Sequence, residues 1–589
     1  MSENKMALQY FVKYFRKYWK GILVVIFLSL ISTLSQVIGP LFLGNAVRDL
    51  TNAATKIGQG KLDLNYFYSA LAYMAGSYVL GIIAMFIAWM VMSKFNADAT
   101  NDMRENLFSK FQRMLIRYFD THQDGKLLSL FNSDLDNIFN AMNNAMFEVI
   151  SQSALFIGSI IMMFMVNAKM AIFTVATTPL IIVISIIIMK KARKYLDAQQ
   201  DKISDLNGYV NEQINGQKVI ITNGLQKESV QNFRHYNNDV RNAMFKGQFY
   251  SGMLFPLLQG LSLLNLAIVI GCGAWLIVTN QVSHAVGLGL IVAFVEYSQT
   301  YFQPLTQLTS IYSMIQLALT GGRRLANVEK QGEEDTVANG KVLTGIKDGV
   351  KLENVHFSYV PGKEILHGVN IEVDKGKSVA VVGPTGSGKT TIMNLVNRFY
   401  DVNKGKVTFD GVDVRDITLE SLRNNVGIVL QDSVLFTGTI EDNIKYGKPD
   451  ASHDQVIAAA KEANIHDFIS SLPDGYDTQV SEENSVFSTG QKQLISIART
   501  ILTDPEFLIL DEATSNVDTV TEAKIQKAMD AVIAGRTSFV IAHRLKTILN
   551  SDKIVVLKDG NVIEQGNHDE LIKKRGFYYS LYTNQMAFE

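Results

Sequence analysis

Charge is scarce in this sequence. Asp, Glu, Lys and Arg make up 19% of its 589 residues and apolar types 47%, where soluble proteins carry about 25% charged residues. The shortage is lopsided, because uncharged runs crowd the N-terminal half and charges are regularly spaced after Lys341. Part of the chain is therefore expected in lipid, and its length exceeds one domain of roughly 100–200 residues. Cysteine is nearly absent. The single Cys272 excludes an intrachain disulfide, and its apolar neighbours favour packing over reactivity. Proline is sparse too: none lies between Pro40 and Pro179, so nothing obliges the helices of that stretch to break. The formal charge of −1 argues neither for nor against nucleic acid, and none is expected as a partner.

Long hydrophobic runs are what the chain has in quantity. Gly21 to Leu43, Phe67 to Met92, Val149 to Ala168 and Ala171 to Met189 carry no charge, and about 20 apolar residues suffice for a helix to cross a bilayer. A fifth span is expected within Gly247 to Asn280. A sixth runs from near Ala285 to Gly322, interrupted only by Glu296. The third and fourth are so close in sequence that they must form a hairpin. A cleaved signal peptide is not expected, since the first run is long and lacks a small-x-small pattern. Ahead of it, Leu8, Phe11, Val12, Phe15 and Trp19 share one helical face and Lys13, Arg16, Lys17 and Lys20 the other, a pattern suited to a helix in the membrane interface.

Lys and Arg concentrate in two long segments, 94–142 and 190–246, while the connections at 48–66, 167–170 and 280–284 have few. The positive-inside rule then puts both segments and both termini in the cytoplasm. Each segment is expected to be a helical hairpin whose tip reaches a cytoplasmic domain.

The C-terminal half contains a phosphate-binding pattern. The apolar stretch Lys377 to Val382 runs into Gly383-Pro384-Thr385-Gly386-Ser387-Gly388-Lys389-Thr390-Thr391, after which a helix begins. Glycines there let backbone N–H groups wrap phosphates, Lys389 can pair with the terminal phosphates and Thr390 can ligate Mg²⁺. A second apolar strand, Phe507 to Leu510, ends in Asp511 and Glu512. Asp511 is placed to hold the Mg²⁺ shell and Glu512 to orient or deprotonate an attacking water.

Five further motifs follow in order. They are Tyr359 in VHFSYVPG, Gln431 in IVLQDSVLF, Ser488, Gly490 and Gln491 in FSTGQ, Asp518 in SNVD and His543 in VIAHRL. Together with the P-loop they resemble the ATP-binding cassette (ABC) exporters, over nearly the whole chain, and the bacterial heterodimeric multidrug exporters in particular. The resemblance implies an N-terminal all-α transmembrane domain of six helices (1–322), a linker (323–346) and a C-terminal α/β P-loop NTPase domain of ABC type (347–589). It implies that Tyr359 stacks on adenine, that Gln431 helps hold Mg²⁺, that His543 contacts the γ-phosphate and that Asp518 is the D-loop aspartate. Phe119, Asp120, Gly125, Lys126 and Leu127 resemble the first coupling region, with Asn223 to Glu228 near the second.

The implied function is ATP-driven, Mg²⁺-dependent export of amphipathic small molecules across the cell membrane of a bacterium, by a chain that works as one half of a dimer. A lipid or peptide exporter and an ATP-gated protein that does not pump are the alternatives. Glu296, Gln299, Gln303 and Gln307 form a polar stripe in the sixth span beside Phe294, Tyr297, Tyr301 and Phe302. A carboxylate among aromatics suits organic cations. One departure from the family stands out: its signature usually reads Leu-Ser-Gly-Gly-Gln, and here Thr489 replaces the first glycine. If that position needs a left-handed backbone, a β-branched residue is strained there. A heterodimer with a homologous half that supplies an intact signature is expected.

Overall fold

The computed structural model describes residues 3–57, 64–334, 340–431, 433–481, 487–511, 518–541 and 548–586. The chain divides into two compact units, one of Met1–Gln112 with Gln123–Gln331 and the other of Arg113–His122 with Gly332–Glu589.

The first unit is helical. α1 (Glu3–Phe15) precedes α2 (Trp19–Ile57) and α3 (Asn65–Phe111), and α4 (Ile116–Thr121) belongs to the second unit. α5 (Asp124–Ser129), α6 (Leu135–Asn140) and α7 (Phe147–Val166) join through wider turns into one run. Then come α8 (Ala168–Val175), α9 (Thr178–Asn215), α10 (Gln217–Thr222), α11 (Gln226–Gly252), α12 (Leu254–Val278) and α13 (His284–Glu329). Among the described residues, six helical runs are long and apolar enough to cross a membrane. The α7–α8 hairpin closes at Asn167, whose extended backbone ends one helix while its Oδ1 accepts from Met170 N at 3.1 Å and caps the next.

Small residues set the helix spacing, as expected where lipid removes the hydrophobic drive between helices. A Cβ on Gly44 of α2 would lie 2.6 Å from the Gly289 carbonyl of α13, and one on Gly289 would lie 2.5 Å from the Gly44 carbonyl. The two backbones touch only because both residues are glycine.

Two local expectations change. α1 packs on its own bundle: Ala7, Tyr10 and Tyr14 are buried, Phe11 lies over Gly322, and Phe15 meets Phe95 of α3 edge-on at 5.5 Å. Lys17 and Tyr18 both donate to Asp102, at 2.6 and 2.8 Å. Leu8, Val12 and Trp19 of the apolar face remain exposed, while Phe11 and Phe15 pack against neighbouring helices. In α13, the aromatics expected beside Glu296 turn away into the bundle. Tyr297 donates to the Val37 carbonyl at 3.0 Å, Tyr301 is hydrogen-bonded to Thr178 and stacks on Phe156, and Phe294 is fully buried. Residues 294, 297 and 301 follow one helical face and 296, 299 and 303 the opposite one, so the carboxylate and the rings diverge. Glu296 is half-buried, and Gln299 and Gln303 are exposed.

The second unit is α/β. An antiparallel sheet has the order β2-β1-β4-β5, from β1 (Gly349–Phe357), β2 (Leu366–Asp374), β4 (Lys404–Phe409) and β5 (Val412–Asp413). The main sheet uses β3 (Ser378–Val382), β6 (Val426–Val429), β9 (Phe507–Asp511), β10 (Thr537–Ile541), β11 (Lys553–Lys558) and β12 (Asn561–Gly566) in the order β12-β11-β3-β10-β9-β6. All its pairings are parallel except β11 with β12. The short pair β7 (Gly438–Thr439) and β8 (Gln479–Val480) stands apart.

β3, β9 and β10 are buried throughout, as a parallel sheet covered on both faces requires. Alternation then splits their side chains between two cores. Ala380, Val382, Leu508, Leu510 and Val540 pack against helices of the segment 440–502. Val379, Val381, Phe507, Ile509, Phe539 and Ile541 pack toward the antiparallel sheet.

A candidate ATP site at the edge of the parallel sheet

β3, β6 and β9 end at one edge of the sheet, so Gly383, Gln431 and Asp511 emerge together, as ligand-binding residues do in open α/β sheets. Gly383, Gly386 and Gly388 have φ of 159°, 82° and 102°. The last two lie in the left-handed region, and a Cβ on Gly383 would strike the Leu557 carbonyl. The loop feeds α14 (Lys389–Val396), which presents its free N–H groups to the loop's hollow.

Lys389 folds back over this loop, its Nζ donating to the carbonyls of Gly383 at 2.7 Å and Pro384 at 3.1 Å. Its side chain is 7% exposed. Burial lowers its pKa from the ordinary lysine value, and the nearby Asp511 carboxylate works in the opposite direction. Ser387 Oγ is buried without a hydrogen-bond partner. An orphaned hydroxyl, a buried ammonium and a helix N-terminus around one hollow fit the phosphate chain of a nucleotide. Thr385 and Thr390 are exposed at the same loop, and Thr391 is buried beneath it. The oxygens of Thr390, Gln431 and Asp511 are the hard donors that Mg²⁺ takes.

Tyr359 is held at the flank of α14. Its hydroxyl contacts Thr391 Oγ1 at 3.4 Å and accepts from Asn394 Nδ2 at 3.0 Å, while its ring meets Phe357 and Tyr400 edge-on at 4.8 and 4.9 Å. A cleft of about 210 Å³ opens beside it, lined in part by Arg117, Arg398 and Tyr400. Tyr400 in turn donates to Asp120 of α4 at 2.6 Å. Burial first, then that bond, raises the Tyr400 phenol above its usual pKa. Sequence reasoning named Asp120 but missed Tyr400, whose only signal was an aromatic following α14 in NRFYD.

The signature residues begin the helix Thr489–Thr503. Ser488 caps it by accepting from Gln491 N at 3.3 Å, and Gln491 Oε1 accepts from Ser488 N at 2.8 Å, a reciprocal box of about 1 kcal/mol. Gly490 is buried and Thr489 exposed at the first helical position. Thr489 is not among the positive-φ residues, so the expected strain of a left-handed threonine is absent: a helix N-terminus asks for ordinary helical φ. Asp518 caps the helix Thr519–Ile533, accepting from Val520 N and Thr521 N at 3.1 and 3.0 Å. Glu512 and His543 lie outside the described residues, immediately after β9 and β10.

Residues 22–305 match the ABC transporter transmembrane region and residues 366–515 match the ABC transporter domain. An ABC transporter ATP-binding protein of Bacillus subtilis, YfiC, is 37% identical over 96% of this chain and 92% of its own length. A fatty acid ABC transporter ATP-binding/permease protein of Mycobacterium bovis is 36% identical over 86% and 80% of the two chains. A putative multidrug export ATP-binding/permease protein of Bacillus subtilis, YgaD, is 35% identical over 82% and 83%. With membrane helices and an ATP-binding domain fused in one polypeptide, this chain belongs to the ABC transporter family as an exporter half-transporter that couples ATP hydrolysis to transport across a membrane.

Proposed function

We propose that this chain exports amphipathic small molecules across the cell membrane as one half of a heterodimer, hydrolysing ATP at a composite site built on its own P-loop. The phosphate-ready hollow around Lys389 and the orphaned Ser387 hydroxyl carries this reading. Lys389 and the N-terminus of α14 bind and orient the phosphates, Tyr359 stacks on adenine, and Glu512 positions the attacking water with His543 on the γ-phosphate. Mg²⁺ held by Thr390, Gln431 and Asp511 would neutralise phosphate charge.

Two observations favour a partner chain. At the tip of the second Lys- and Arg-rich segment, 190–246, Val219, Ile221 and Leu225 are exposed apolar residues, a surface for a partner's cassette to cover. Thr489 stands exposed at a helix N-terminus, where a side chain in place of glycine's hydrogen would hinder the close approach of a γ-phosphate to the backbone. With strain removed, steric obstruction is the reason for expecting an intact signature from a different half. Asp518 serves the same interface in this reading. Both termini face the cytoplasm in this reading, because Lys and Arg crowd the two long segments 94–142 and 190–246.

Glu296, Gln299 and Gln303 offer amphipathic cations a carboxylate and amides from one face of α13. The fatty acid transporter among the relatives makes an acidic amphiphile the second reading. Flux into inside-out vesicles with cationic, neutral and acidic probes, with and without ATP, separates the two. The heterodimer is tested by purifying this chain alone: brisk, substrate-stimulated ATPase from the homodimer would defeat it, and a gain of activity in Thr489→Gly would support it.

A further inference from the structure

Where α2, α7 and α13 meet, the first unit has an open cavity of about 370 Å³, within the 300–1,000 Å³ range of small-ligand sites. Its walls include Leu41, Met162, Met165 and Leu290, with Asn45 and Arg48 as the polar lining. The Gly44–Gly289 crossing keeps Cβ atoms out of this space. Paired methionines give the walls a surface that adapts to flexible chains.

Depth separates the two chemistries. Arg48 lies 27 residues after Gly21 in α2, roughly 40 Å along the helix at 1.5 Å per residue, beyond the ~30 Å hydrocarbon core. Leu41 sits two turns deeper, ~10 Å from Arg48 and at the edge of that core. Arg48 is half-exposed and spends its Nε–H on Asp49 Oδ1 at 3.0 Å, and a guanidinium has four more N–H donors.

We propose that this cavity binds a single-chain amphiphile with an anionic head, the head on Arg48 and the chain among Leu41, Met162 and Leu290. The cavity holds about a dozen waters' worth of volume at ~30 Å³ each, which suits one alkyl chain. Planar donors of arginine match carboxylate, sulfate and phosphate oxygens, whereas a cationic head would be repelled by the guanidinium. The occupant is either a free amphiphile or one chain of an acidic bilayer lipid, and both present this chemistry. The site is distinct from the Glu296 stripe and does not depend on the nucleotide site.

The test uses the full-length protein in phosphatidylcholine nanodiscs, with dodecanoate and dodecyltrimethylammonium as probes. Dodecanoate should bind and weaken about fourfold for each methylene removed. Arg48→Gln should weaken dodecanoate at least tenfold, leave the cationic probe unchanged, and be rescued in part by Arg48→Lys. Met165→Trp, which fills the cavity from its exposed side, should abolish dodecanoate binding with Arg48 intact. Repeating the titration with phosphatidylglycerol discs names the source: competition identifies a bilayer lipid, and its absence a free amphiphile. No binding by the wild-type protein, equal binding by Arg48→Gln and wild type, or equal losses of both probes would overturn the proposal.

Discussion

The Tyr400 hydroxyl donates to Asp120 Oδ2 at 2.6 Å, across 280 residues of sequence. The same tyrosine meets Tyr359, the proposed adenine stacker, edge-on at 4.9 Å. One side chain therefore touches both the nucleotide flank and the segment that sequence reasoning assigned to coupling. Tyr400→Phe keeps the ring packing and removes the bond, which to a charged acceptor is worth about 1.5 kcal/mol in an exposed setting. ATP affinity should stay within about twofold, while transport per ATP hydrolysed falls by up to about tenfold. A parallel loss of ATP binding and transport would assign Tyr400 to the nucleotide site alone.

Glu512 follows Asp511 at the end of β9. Glu512→Gln should retain ATP binding and lower turnover by roughly 10²-fold or more. The check is single-turnover hydrolysis in the assembled dimer, where an unchanged rate removes Glu512 from the chemical step.

The aromatics of α13 are committed to packing, so a cation would be recognised by charge and amides. Glu296→Gln should impair efflux of cationic probes several-fold more than of neutral ones and leave basal ATPase intact. Equal impairment of both classes would make Glu296 a packing residue.

Asp410 gives a pH signature outside the membrane helices. Burial raises its pKa, but hydrogen bonds from the backbone N–H groups of Gly349, Lys347 and Asp348, at 3.0, 2.9 and 2.8 Å, outweigh it and hold the carboxyl below its usual value. A depressed carboxylate contributes stability above its unfolded pKa of 3.8, and that stability is lost as pH falls through the lower folded value. Asn tolerates the φ of 49° found at this position, so Asp410→Asn isolates the charge. It should cost about 1–3 kcal/mol at pH 7. Thermal unfolding should show the gap to wild type closing below about pH 4.

The P-loop and its strand were legible because all their determinants are local: an apolar run, glycines at positive φ and a lysine within nine consecutive residues. The spans were legible for the same reason, since a bilayer asks only for length and apolarity. Thr489 was misjudged because a motif names residue types without their dihedrals, and the cap made by Ser488 places it in a helix. For Phe11, Phe15, Tyr297 and Tyr301, periodicity showed an apolar or aromatic face but not whether lipid, substrate or a neighbouring helix covers it.

By itself the sequence determined the family, the six membrane helices and the P-loop with its strand, because each rests on short-range pattern. Only the tertiary structure decided that Tyr400 reaches Asp120, that the α13 rings turn from Glu296, and that glycines at 44 and 289 leave a cavity beneath Arg48. Those relationships join residues tens to hundreds of positions apart, and their pairing follows from how helices and sheets pack, which no local periodicity encodes.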